Sequence, residues 1–341
     1  LEKRKRDGSL DLDIPESKII LNEDGIAIDV KKYELTISNS IIEQFMLITN
    51  ETVAEKFYWL EAPFIYRVHE APDIEKIEEL NKFLYNFGYK IKGSKDNIHP
   101  KAFAQVLESI KGKPEERVVS NLILRTLKVA RYESENKGHF GIASKYYCHF
   151  TSPIRRYPDL FIHRVISKYL ENNYNISDRI KEKYHIDSID YADSSSERER
   201  VAQKVERDSI DIKKAEYMQD KIGNIYDGIV SNVTSFGVFV ELENTVEGLI
   251  RFENLGDEYF IYDEEHKHLI GEHSNEIIKV GDAMTIKVIE ANKESRRISF
   301  RRVQNNRKKV WTMTMDAIIM MVITLVGYIG GFSYFMIRVF K

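Results

Sequence analysis

At Ile222 the hydrophobic period of this chain changes, and the change limits what the chain can fold into. Upstream, apolar residues recur at helical spacing, as in Phe103, Val106 and Ile110 or Leu160, Ile162, Val165, Ile166, Tyr169 and Leu170. Downstream they come in short alternating runs separated by turn residues. Gly228-Ile229-Val230, Ser235 to Leu242, Val246 to Ile250, Met284 to Ile289 and Arg297 to Phe300 each read as a strand. A period of 3.6 and a period of 2 bury different faces and cannot share an element. Short strands over a domain-sized stretch suggest a small barrel with its own core beginning near Lys221. The expected fold class is therefore α+β, and 341 residues suit two or three domains.

The helical part opens with a basic patch, Lys3 to Arg6, read as a solvated helix end. Ile19 to Leu21 and Gly25 to Ile28, joined through Asn22-Glu23-Asp24-Gly25, read as a hairpin. Residues 38–60 form an amphipathic helix with Ile42, Phe45, Met46, Val53 and Phe57 on one face. Glu43 lies three after Ser40 and can close a capping box there. In the extended run Ala62 to His69, Arg67 and His69 alternate with apolar residues, so Arg67 either faces a channel or sits in a structural ion pair. Further helices are expected over 73–87, 100–111 and 114–132, and a heavily charged one over 175–218.

Composition closes off some classes. Lys and Arg total 51 against 54 Asp and Glu, a net charge of −3, so binding to nucleic acid would rest on local patches. The one cysteine, Cys148, rules out an internal disulfide framework and fits a reducing compartment, the cytoplasm. It reads as a small buried thiol. No His/Cys pair has metal-ligand spacing, so no metal ligand is assigned, and the chain, which starts at Leu1 and not Met, reads as having no signal peptide. Past Arg301, Arg302, Arg307, Lys308 and Lys309, residues 317–337 carry no charge. A bilayer core needs about 20 such residues, so this run is a candidate transmembrane helix, and the positive flank would keep the preceding domains cytoplasmic.

The stretch 138–160 has the densest punctuation. Pro153 and Pro158 each remove an N–H and bias the preceding residue away from helix. Between them stand Arg155 and Arg156, on a stiff segment running into a helix that Pro158 can open. Such a segment can aim guanidinium forks at a phosphate. On residue types alone, the plainer reading is that one arginine pairs with a nearby carboxylate and the other is solvated.

The run His149-Phe150-Thr151-Ser152-Pro153-Ile154-Arg155-Arg156-Tyr157-Pro158-Asp159-Leu160, preceded by Gly138-His139-Phe140-Gly141, resembles the signature of the ribonuclease II/ribonuclease R (RNB) family. Ser235 to Leu242, with Glu247 to Ile250 following, resembles an S1-type OB-fold. The resemblance implies the later part of an RNB catalytic domain over 1–220, with helices packed on a mixed sheet. It implies an S1 domain over 221–303, leaving 304–341 as a basic linker and the candidate span. The implied activity is 3′→5′ hydrolysis of single-stranded or structured RNA to nucleoside 5′-monophosphates. Mg²⁺ is the implied cofactor, held by aspartates upstream of the matched region, for which Asp11-Leu12-Asp13 is no substitute. Alone, residues 1–341 would then bind RNA without degrading it.

By the same resemblance Arg155, with Arg156 second, contacts the scissile phosphate. Glu43 accepts from the terminal ribose, and Arg67 faces the RNA channel. Tyr157 and His149 lock the loop. Phe236 and Phe239 stack on bases, with Lys287 or Arg296 near the backbone, although strand alternation would turn one of the two phenylalanines into the barrel core. RNA is the implied partner, with the ribosome or RNA-decay factors beyond it, and the membrane if 317–337 spans it. The alternative class is a non-catalytic, membrane-tethered RNA-binding protein, distinguished from the enzyme by whether an Asp-rich stretch precedes Leu1.

Overall fold

The computed structural model describes residues 2–10, 16–85, 87–93, 98–113, 115–264 and 266–303. Residues 1–303 fall into one compact unit. In chain order its elements are α1 (Glu2–Asp7), β1 (Ser17–Leu21), β2 (Ala27–Lys32), α2 (Ile37–Trp59), β3 (Tyr66–Val68), α3 (Ile74–Tyr85), α4 (Pro100–Ile110), α5 (Glu116–Thr126), β4 (Arg131–Glu133), α6 (Tyr157–Glu171) and α7 (Asp178–Gln219). Then follow β5 (Ile225–Thr234), β6 (Gly237–Leu242), β7 (Glu247–Arg251), β8 (Phe260–Asp263), β9 (His268–Gly271), β10 (Ile277–Lys279), β11 (Ala283–Asn292) and β12 (Arg297–Arg302).

The change of period at Ile222 is the change from helices to a closed five-stranded barrel in the order β11-β12-β7-β6-β5, with a separate antiparallel sheet β10-β9-β8 inserted between β7 and β11. Val238, Val240 and Leu242 point inward from β6 and meet Ile250, Ile286, Val288 and Phe300. Gly248 lets Phe300 approach, since a Cβ there would come within 2.4 Å of its ring. The barrel's core is not made by the barrel alone. Val30 of β2 and Ala215 and Met218 of α7 are buried in the same cluster, so a cut at Lys221 would uncover it.

The helical part holds two further cores. One packs Ala54 and Phe57 of α2 against Phe64, Ile65, Cys148 and the apolar face of α6. The other joins α3, α4 and α5 through Leu80, Phe103, Ile110 and Ile123, with Phe140 at its edge. The expected mixed sheet is corrected. Among the described residues this part has two antiparallel pairs, β1-β2 and β3-β4, with isolated bridges at His139 to His69 and Ser144. The β1-β2 hairpin leans on α7 and the barrel, and β3 and β4 are three residues each, so helices supply most of the burial.

Three local expectations are also corrected. The helix expected over 114–132 ends at Thr126, and Arg131–Glu133 pairs with Tyr66–Val68 instead. Tertiary pairing, with Tyr132 buried, overrides a local helical preference there. The capping box of α2 joins Thr36 and Asn39, not Ser40 and Glu43, because the helix starts at Ile37. The apolar stripe of α2 is buried only in its second half, while Ile42, Phe45 and Met46 are exposed, Phe45 by 65%. The uncharged run 317–337 and the linker before it lie outside the described residues. Among the described residues no helix is long and apolar enough to cross a membrane.

Candidate functional site

The arginine turn is anchored before it is charged. Asn50, buried on α2, accepts the Phe150 N–H through Oδ1 at 3.0 Å and donates from Nδ2 to the Tyr147 hydroxyl at 3.2 Å. Its carbonyl takes the Cys148 thiol at 3.3 Å, and burial pushes that thiol's pKa up, so Cys148 is inert. Beyond Phe150, the Ser152 carbonyl accepts the N–H groups of Arg155 and Arg156 at 3.3 and 3.1 Å. Asp159, in the first turn of α6, is fully buried, and its Oδ2 accepts the Ser152 N–H at 2.8 Å and Arg156 Nη2 at 2.7 Å. Asp159 Oδ1 and Arg156 Nε are buried without a partner among the described residues.

The two arginines therefore differ. Arg156 is the paired one, spent on the buried carboxylate that shapes the turn. Arg155 is exposed, and its side chain makes no hydrogen bond or ion pair among the described residues. Asp159 and Asn50 were not singled out in the sequence. The Arg156–Asp159 spacing of one helical turn was the available signal for the first; Asn50 had none.

A wall of neutral rings stands behind the turn. His149 meets the Tyr132 hydroxyl at 2.8 Å through Nδ1, and Tyr147 packs edge-on against both His139 and His149. Burial, then the positive charges of Arg156 and Arg67, holds His149 down to about 2. Burial, then His69 and Arg67, holds His139 down to about 3. Both imidazoles are therefore neutral, not cationic, at neutral pH. Tyr157, 41% exposed, packs edge-on against Tyr191 of α7. The Gly138–Gly141 motif clamps His69. The His69 N–H donates to the Gly138 carbonyl, its Nδ1 accepts the Gly141 N–H at 3.0 Å, and a Cβ on Gly141 would come within 2.8 Å of that nitrogen.

Of the other expected residues, Arg67 takes the ion-pair alternative. It pairs with Glu199 of α7 at 2.5 Å and lies over the Tyr132 ring at 4.7 Å. Glu43 is exposed and unbonded among the described residues, on the same face of α2 as Asn50 and two turns before it, roughly 10 Å away.

A second constellation lies on the barrel. Phe236 and Phe239 meet edge-on at 6.1 Å and line a cleft of ≈ 660 Å³ with Arg251, Arg296, Arg297 and Lys214. The expectation that one phenylalanine enters the core is corrected. Phe236 sits in the turn before β6, 55% exposed, and Phe239 alternates outward between buried Val238 and Val240. Arg296, at φ 57°, pairs with Asp208 of α7. Lys287 is exposed on β11 between Ile225 and Arg301, and does not line the cleft. Among the described residues no group of three or more His, Cys, Asp or Glu side chains is placed to hold a metal ion, and Asp11–Asp13 lies outside those residues. The described residues thus offer no ligand set for the Mg²⁺ that the resemblance implies.

Two family models match the chain. The RNB domain model matches residues 1–172 and the S1 RNA binding domain model residues 219–302. Ribonuclease R 1 of Lactococcus lactis is 43% identical over 87% of this chain and 36% of its own length. Ribonuclease R of Thermotoga maritima is 41% identical over 90% of this chain and 43% of its own. The structure of Mycoplasma genitalium RNase R in complex with ribose-methylated single-stranded RNA superposes with a TM-score of 0.81 at 30% identity, covering 89% of this chain and 47% of that one. The chain thus spans roughly two fifths of the length of these curated relatives.

Proposed function

Since the chain belongs to the RNB family, with an S1 domain after its RNB region, we propose that it forms part of a ribonuclease R-type 3′→5′ exoribonuclease. That enzyme would hydrolyse single-stranded or structured RNA to nucleoside 5′-monophosphates in the cytoplasm. The observation that carries this reading is Arg155, exposed and unpaired among the described residues, beside an Arg156 fixed on buried Asp159. A turn so braced holds one guanidinium fork ready for a phosphate while its neighbour resists reorganisation. Donors already aimed at developing charge favour the transition state over the bound substrate. Glu43 accepts from a ribose 2′-OH, a way of preferring RNA. Phe236 and Phe239 stack on bases without regard to sequence. Arg67 braces the wall behind the turn through Glu199 and Tyr132.

Mg²⁺ would supply an acidified water and a neutralised leaving oxygen, but the described residues form no group to hold it. On this reading residues 1–341 alone bind RNA and leave it intact, since the resemblance puts the Mg²⁺-holding aspartates upstream of the matched region. In the complete enzyme Arg155→Ala lowers turnover by a factor on the order of 10²–10³ with far less change in affinity, and Arg155→Lys does not rescue, because the bidentate fork is lost. Equal losses of affinity and turnover would make Arg155 a general binding residue. For the chain itself, end-labelled RNA with Mg²⁺ should be retained at full length. Stepwise shortening that disappears in Arg155→Ala would overturn the claim.

A further inference from the structure

The barrel cleft has one wall that the barrel does not supply. Lys214 lies on α7, ahead of the barrel strands, yet lines the same cleft as Phe236 and Phe239. Its Nζ donates to the Thr245 carbonyl at 2.6 Å. Thr245 sits in the β6–β7 turn at φ 71°, buried, with its hydroxyl bonded to Ser17 of β1 at 2.7 Å. The other turn at the cleft, between β11 and β12, holds Arg296 at φ 57° and is tied to Asp208 of α7. Left-handed backbone at a non-glycine residue persists where surrounding contacts hold it. Here α7 holds both turns.

A brace on Thr245 uses one of the three donors of the Lys214 ammonium. The carboxylates acting on it are Asp211, one turn back on α7, and Glu247, which accepts the Ser231 hydroxyl, and Glu241 lines the same cleft. Burial draws the Lys214 pKa below that of a solvated lysine. A partly desolvated ammonium in a cleft that also holds two aromatic rings, Arg251 and Arg297 suits a nucleic-acid phosphate. We propose that Lys214 is an RNA-phosphate contact of the barrel cleft, so that the cleft is shared between the barrel and α7. The proposal rests on the reading of this cleft as the RNA site.

The test is binding of a fluorescent single-stranded oligouridylate to residues 1–341 over a series of KCl concentrations. One lost phosphate contact on a single strand lowers the slope of log affinity against log salt by roughly 0.7. Lys214→Met should show that drop and bind several-fold more weakly at low salt, while Lys214→Arg keeps the parent slope. Phe236→Ala should weaken binding with the slope unchanged. An unchanged slope in Lys214→Met, with Phe236→Ala still impaired, would overturn the role of Lys214 and leave the cleft reading standing. Full affinity in both Phe236→Ala and Phe239→Ala would sink the cleft reading itself. Thermal melts of each variant separate loss of the Thr245 brace from loss of the contact: a lower melting temperature with the parent slope counts against the proposal.

Discussion

The arginine turn and the barrel cleft both present cations, and they are built on opposite plans. In the turn the organising charge is inside: Asp159 is fully buried, Arg156 closes on it, and neutral imidazoles fill the space behind. In the cleft the side chains are outside and their supports are remote, with α7 holding both turns through Lys214 and Asp208. The first plan makes a rigid site that is costly to disturb. The second makes a tolerant surface whose single contacts are worth little each. Arg155 and Phe236 are both exposed, but only Arg155 stands on a network with no slack.

The largest effect should come from Asp159→Ala. It leaves Arg156 with a partly buried charge and no partner, and breaking a buried pair costs about 3–5 kcal/mol. Chemical denaturation of residues 1–341 measures it; a loss near that of a surface substitution would put the two sites on the same plan after all.

Acid comes next. Unfolded histidines ionise near pH 6.5, whereas His139 and His149 stay neutral in the fold down to about 3 and about 2. Between those values the unfolded chain binds more protons, so stability falls as pH drops below about 6.5 and levels off only near the folded values. Each group contributes about 1.4 kcal/mol per pH unit across that window. His149→Phe should flatten the slope of stability against pH between 6.5 and 5, and a slope equal to the parent's would show that this imidazole is not held neutral.

The smallest effects belong to the cleft. Phe236→Ala should cost RNA affinity about 1–3 kcal/mol, the worth of one stacked base, with little change in melting temperature because the ring is mostly exposed. Half-buried Phe239 should lose both affinity and stability on truncation. A large stability loss from Phe236→Ala would contradict the cleft's plan.

Helix α2 shows why parts of this were legible and parts were not. Its existence and bounds follow from spacing, within a residue or so, and its second half buries Ala54 and Phe57 as an apolar stripe should. Its first half carries the same kind of stripe and leaves Phe45 exposed. Periodicity says that a face is apolar; it does not say what covers it.

Residue order alone sets what depends on near neighbours along the chain. The two periods meeting at Ile222, the hairpin at Asn22–Gly25, the proline-opened α6 and the motif around Arg155 and Arg156 all rest on spacing, turn chemistry and φ restriction. What separated the two arginines was a carboxylate that had to be buried before it could choose Arg156. What sent Arg67 to Glu199, Lys214 to the barrel and Phe236 outward was packing between segments distant in sequence. Ion pairs and burial depend on distance in space and on exclusion of water. Neither exists until the chain has folded, so both follow from packing between distant segments.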